Sequence, residues 1–165
     1  MKKLIALLLA TGLQSATYAS VETNIDYLEM KTSSHIKKLL IAENIGRGNV
    51  DLTIEPMRLG ASDGKGIEIT DSAGRSIFFS IDDGHSAIIW DNAVVASTNS
   101  FPVYVGGKYR FFLNVTDSAI KVNRVTENGM VSMFEYNKVL TPPLDYKLVT
   151  QRSGAKFHNV LITTY

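Results

Sequence analysis

Alternation of apolar and polar residues, cut at short intervals by Asp-Gly and Asn-Gly, is the feature that most restricts what this chain can fold into. A period of two suits a half-buried β-strand, and a dipeptide that accepts positive φ at both centres closes a tight hairpin. In the longest run, Tyr109, Phe111, Leu113 and Val115 alternate with Arg110, Phe112, Asn114 and Thr116. Ile120 and Val122 open the next run after a Thr-Asp-Ser turn. Ile67 and Ile69 alternate with Glu68 and Thr70, and Ile77, Phe79 and Ile81 with Phe78, Ser80 and Asp82. Asp63-Gly64, Asp83-Gly84 and Asn128-Gly129 predict at least three hairpins. The whole predicts an all-β chain folded as a single antiparallel β-sandwich.

Further strands are predicted over residues 24–30, 49–57 and about 155–165. Pro142-Pro143 lacks two amide donors and so falls between strands or at an edge. Over 34–45 two readings compete. Ser34 as a cap, Ile36, Leu39 and Leu40 on one face, and Gly46 as a stop fit a helix. The strands on either side, and a Leu39-Ala42 run that is apolar on both faces, favour a buried strand over Ile36 to Ile45.

The N-terminus reads as an address. Lys2 and Lys3 precede an apolar run from Leu4 to Leu9, and Thr17-Tyr18-Ala19 places small residues where a signal peptidase cuts. Residues 1–19 are therefore expected to be a bacterial signal peptide, and 20–165 a β-sandwich domain delivered to the periplasm, the medium or the cell surface. The apolar run falls short of the about 20 residues that a membrane-spanning helix needs. Removing Lys2 and Lys3 takes the basic count from 17 to 15 against 16 acidic residues. A balanced chain with no basic cluster does not suit nucleic acid, which calls for a positive stripe against its phosphates. The absence of cysteine removes disulfides, thiol nucleophiles, a lipid-modified cysteine and Cys-based metal sites.

No catalytic signature stands out. Gly60 to Gly66 (GASDGKG) is one residue short of a phosphate loop and puts Gly66 where a hydroxyl would hold magnesium. The His-Glu-x-x-His pattern does not occur, and His35, His85 and His158 have no ligand-spaced partners. No cofactor or metal is expected. The candidate ligand residues are Asp82, Asp83, His85, Trp90, Asp91 and Asn92, in the connections around one predicted strand. Such loops on a rigid sandwich are where binding residues sit. Trp90 offers a flat apolar face, Asp91 and Asn92 bond hydroxyls, and the two aspartates suit calcium. Against this, Asp-Gly closes many hairpins of no further use, and a lone tryptophan commonly packs in a core.

The run Tyr109-Arg-Phe-Phe-Leu-Asn-Val115 followed by Ile120-Lys-Val-Asn123 resembles paired strands of concanavalin A-like jelly rolls of the laminin-G and galectin type. Gly154-Ala-Lys-Phe-His-Asn-Val-Leu-Ile162 is similar to the last strand of that group. The resemblance implies jelly-roll topology, with an immunoglobulin-like sandwich as the alternative, and a module that binds carbohydrate or a protein surface. It carries over no ligand residue. Gly154, Phe157, Leu161 and Tyr165 also resemble the closing strand of fimbrial subunits assembled by chaperone and usher. That likeness implies self-assembly, with Val21, Ile25 and Tyr27 in a strand donated to a neighbour. The chain departs from it in having no disulfide and a terminal rather than penultimate aromatic. The expected function is thus an exported, non-catalytic binding module; a pilus subunit and an extracytoplasmic hydrolase are the alternatives.

Overall fold

Twelve strands account for all the regular structure in the computed structural model, which describes residues 22–31, 35–60, 63–83, 86–91, 93–98 and 102–165. For Glu22 and for residues 87–90 it describes the backbone alone. The expected signal peptide, Val21, His85 and Asn92 lie outside the described residues.

The strands are β1 (Glu22–Met30), β2 (Ile36–Ile45), β3 (Gly48–Pro56), β4 (Lys65–Asp71), β5 (Ser76–Ile81) and β6 (Ser86–Trp90). They continue as β7 (Ala93–Thr98), β8 (Tyr109–Val115), β9 (Ile120–Thr126), β10 (Gly129–Tyr136), β11 (Leu144–Gln151) and β12 (Ala155–Thr164). One six-stranded sheet runs β1-β12-β3-β8-β9-β10, the other β2-β11-β4-β5-β6-β7, and every pairing is antiparallel. Among the described residues no helix is long and apolar enough to cross a membrane.

Alternation decides which side of each strand meets the other sheet. Tyr109, Phe111, Leu113 and Val115 of β8 are buried, and Arg110 between them is exposed. Val50, Leu52 and Ile54 on β3 do the same, as do Ile67 and Ile69 on β4 and Ile77, Phe79 and Ile81 on β5. The sheets meet where Phe79 packs edge-on against Phe111, ring centroids 4.9 Å apart. Each such side chain contributes about 1.5–3 kcal/mol on burial, and together they hold a cysteine-free sandwich.

Three expectations change. Asp63-Gly64 closes no hairpin, because β3 and β4 belong to different sheets and the dipeptide ends a crossover between them. The β4–β5 turn is Asp71–Gly74 instead. There Gly74 has φ 79°, and Asp71 Oδ1 accepts from the amides of Ala73 at 3.0 Å and Arg75 at 2.9 Å. Residues 36–45 form a strand, but an edge strand rather than a buried one. Ile36, Leu39 and Leu40 are exposed because β2 is the last strand of its sheet. Finally, β1, with Ile25 and Tyr27, pairs along its length with β12 of the same chain.

Strand β12 is bulged. His158 pairs with Thr53 and Leu161 with Asp51, three steps on one strand against two on its neighbour. The extra residue is accommodated at Asn159, which adopts φ 50° and is exposed. Asparagine enters this left-handed region more readily than most side chains.

Candidate functional site

The expected ligand loop is divided by the fold. Asp82 and Asp83 follow β5, Trp90 ends β6 opposite Ile77, and Asp91 starts the two-residue link from Trp90 to Ala93. Strand β6 has five residues, which sets the Asp82-Asp83 turn and Asp91 about 16 Å apart. Asp91 fastens the sheet at its end. With φ 45° it donates its amide to the Ser76 carbonyl at 3.1 Å and accepts the Ser76 amide on Oδ1 at 3.0 Å.

At the other end stands Lys65, fully buried on the same face of β4 as Ile67 and Ile69. Its Nζ donates to the carbonyl of Asp63, which also accepts Ser153 Oγ at 3.1 Å. Burial pushes the Lys65 pKa down to about 8, and the charges of Asp63, Asp82 and Asp83 oppose a deeper fall. These aspartates thus act on an internal ammonium. Among the described residues no three His, Cys, Asp or Glu side chains gather as metal ligands.

A different group of residues comes together on the outer face of the first sheet. Four neighbouring strands surround a hollow of about 430 Å³: Asn24 and Asp26 from β1, Asn159 and Leu161 from β12, Asp51 from β3 and Arg110 from β8. The register explains the meeting, since Asn24 pairs with Leu161, Leu161 with Asp51, and Asp51 with Phe112 beside Arg110. The bulge brings Asn159 to the rim. Arg110 is fixed by Asp51, with Nε at 2.8 Å from Oδ1 and Nη2 at 2.5 Å from Oδ2. That two-point grip raises the guanidinium pKa further and gives it one orientation.

The side chains of Asn24, Asp26 and Asn159 make no hydrogen bond or ion pair with any described residue. Several neighbouring groups on this face are paired with each other. Lys156 Nζ donates to Glu55 Oε1 at 2.8 Å, and His158 Nε2 lies 2.9 Å from Glu55 Oε2. Asn114 donates to Asn49 at 2.6 Å, and Lys121 pairs with Glu135 at 3.1 Å. Tyr27 follows Asp26 directly, is half exposed, and sets its ring 5.3 Å from that of His158. The Lys156 hydrogen bond to Glu55, joined by His158, outweighs burial and holds the Glu55 carboxyl below its ordinary range.

A hollow of the same volume opens at the end of the sandwich, lined by Gly46, Arg47, Thr116, Asp117, Pro142 and Tyr165. Its polar groups are largely engaged within the chain. Thr116 Oγ1 bonds the amide and carbonyl of Ala119, Tyr165 donates to Val115 O at 2.9 Å, and Arg47 donates to Leu140 O at 3.1 Å.

Sequence reasoning did not assemble the hollow on the first sheet, because its residues run from 24 to 159 with no motif. One local signal existed: the inward phase of β12 passes from Phe157 to Val160, a slip of one residue around His158-Asn159. A bulge beside an asparagine is a place to look for a re-aimed side chain.

No family model and no curated protein matches this chain. Solved structures do. Carbohydrate-binding module CBM66 from Bacillus subtilis superposes with a TM-score of 0.62 at 14% identity, over 84% of this chain and 92% of that one. The exoplasmic/lumenal domain of VIP36, in a form bound to Ca2+ and Man3GlcNAc, gives 0.61 at 9% identity, over 88% and 82%. Crh5 transglycosylase in complex with NAG gives 0.58 at 8% identity, over 84% and 72%. The fold is the jelly-roll sandwich of lectins and carbohydrate-binding modules. At these identities the likeness concerns the fold alone, which also carries enzymes.

Proposed function

We propose that this protein is an exported, non-catalytic module that binds carbohydrate on the outer face of its first sheet, over Asn24, Asp26 and Asn159. The observation that carries the reading is the contrast within that face: three unengaged polar side chains around a hollow, amid groups already bonded to each other. Two amides that donate and accept, one carboxylate that accepts, and a fixed guanidinium suit a ring of hydroxyl groups. The adjoining Tyr27 supplies an apolar face for the sugar's C–H groups. Asp51 is bound to Arg110, so among the described residues lining the hollow Asp26 is the one unengaged carboxylate, whereas glycoside hydrolysis ordinarily employs two. Pairing of β1 with its own β12 favours a self-contained module over strand donation. Export rests on the leader-like residues 2–19.

The test is titration calorimetry of the purified protein with cello-, manno-, galacto- and chito-oligosaccharides. Saturable binding to at least one series is expected, weakened about tenfold or more by Asp26→Ala with Tm unchanged. Absence of binding to every series at millimolar concentration sinks the reading. Binding that survives Asp26→Ala and disappears in Trp90→Ala or Asp83→Ala moves the site to the loop set Asp82, Asp83, His85, Trp90, Asp91 and Asn92.

A further inference from the structure

Resting on that reading, we infer that the ligand is an oligosaccharide which crosses Arg110 into a second subsite formed by Lys108, Glu127 and Asn128. Beyond Arg110 lies another hollow, of about 590 Å³, lined by Lys108, Arg110, Arg124, Val125, Thr126, Glu127 and Asn128. Arg110 is common to both hollows, so they adjoin across one residue. Either volume falls within the about 300–1,000 Å³ of a small-molecule site.

The path across the sheet is long. From Asn24 on β1 through β12, β3 and β8 to Val125 on β9 there are four strand intervals, or about 19 Å. That distance exceeds one sugar ring and accommodates several in a row. The ridge between the hollows is a guanidinium held by Asp51 through two hydrogen bonds, a group whose remaining N–H donors suit ring and hydroxyl oxygens on either side.

The second hollow repeats the chemical signature of the first. The side chains of Lys108, Glu127 and Asn128 are exposed and make no hydrogen bond or ion pair with any described residue. The hairpin beneath them is firm, since Thr126 Oγ1 donates to Gly129 O at 2.9 Å and accepts the Asn128 amide at 3.3 Å. Arg124 lies 5.8 Å over the Tyr109 ring, which fixes the wall. Unengaged donors and acceptors on a fixed backbone are thus present on both sides of the ridge.

The experiment is calorimetric titration of the full protein with each series above, from one unit to six. The tetrasaccharide of the bound series is expected to bind at least about tenfold more tightly than its monosaccharide. Lys108→Ala should lower that tetrasaccharide-to-monosaccharide ratio by about fivefold, whereas Asn24→Ala should weaken all lengths together. Charge reversal in Lys108→Glu, confirmed folded by its melting curve, should lower the ratio at least as much. A monosaccharide bound as tightly as its tetramer, or a ratio unmoved by both Lys108 variants, overturns the second subsite while leaving the proposed function standing. Failure of every series to bind overturns the proposed function itself, and this inference with it.

Discussion

The Lys65 end of the second sheet and the hollow on the first use similar residue types to opposite ends. At the first, Lys65 and Ser153 both donate to the Asp63 carbonyl, and the charges of Asp63, Asp82 and Asp83 act on the buried ammonium. At the second, Asn24, Asp26 and Asn159 are exposed, and their side chains have no partner among the described residues. A buried polar group must be satisfied from within, because leaving it unmade costs about 1–3 kcal/mol. An exposed one can remain unengaged at little cost and be available to a ligand. The Asp and Asn content of a loop therefore says less about binding than the engagement of those side chains.

The sharpest way to break this contrast is at Asp71, which belongs to the inward class. Its side chain is fully buried and accepts from Arg75 Nε at 2.8 Å, from the amides of Ala73 and Arg75, and from the Thr141 amide at 3.2 Å. Burial alone would raise its pKa, but the hydrogen bonds led by Arg75 bring it below the ordinary value. Asp71→Ala is expected to lower stability by about 3 kcal/mol and Tm by roughly 10 °C, read by calorimetric melting. Glycan affinity measured well below Tm should stay as in the parent. A stable variant that had lost binding would show that the two classes are not separate.

Lys65 gives a prediction that depends on pH. Its folded pKa of about 8 lies below the ordinary lysine value of 10.5. Between those values the folded chain has released a proton that the unfolded chain retains, so stability attributable to this residue rises from pH 8 to 10.5. The span corresponds to an upper bound of roughly 3 kcal/mol. Urea unfolding of the parent and of Lys65→Met at a series of pH values isolates the effect as their difference. A difference flat across that window would mean that Lys65 is solvated in the native state.

Much of the architecture was legible in the residues. Strand β8 follows its alternation from Tyr109 to Val115, and β9 returns as β10 at the expected place, although the two turn residues are Glu127-Asn128 and the positive φ, 112°, falls on Gly129 at the start of β10 and not on Asn128. Legibility failed where position within the sheet, rather than local pattern, decided the outcome. The apolar run in β2 reads as interior in sequence, yet it is an edge because no described strand pairs beyond it. Asp63-Gly64 has hairpin chemistry, but its flanking strands join different sheets. The hollow was the least legible part, since strand order brings residue 24 beside 161 and 161 beside 51, and no local spacing encodes that.

Asn159 lets stability and binding be separated at one residue. Its φ of 50° is one that glycine adopts without penalty, whereas alanine there costs about 1 kcal/mol. Asn159→Gly should therefore hold stability within about 0.5 kcal/mol while weakening the bound glycan by about tenfold. Asn159→Ala should weaken binding equally and also destabilise. Equal binding in parent and glycine variant would remove the amide from the site and narrow the contrast to Asn24 and Asp26.

The smallest effect is expected at Glu55, which shares the sheet face with the hollow but belongs to the engaged class. Its carboxyl is held below the ordinary 4.5, chiefly by the Lys156 hydrogen bond, so it stabilises the fold above that pH and loses the contribution as pH falls through the lowered value. Because Lys156 is partly exposed, Glu55→Gln should cost under about 1 kcal/mol at neutral pH. It should also flatten the acid limb of the stability curve below pH 4.5. Glycan affinity should not respond, since both carboxylate oxygens already serve Lys156 and His158. A loss of affinity comparable to that of Asp26→Ala would show instead that the bound sugar reaches past Tyr27 and that engaged side chains exchange partners on binding, so that engagement in the free protein would no longer mark which residues are available.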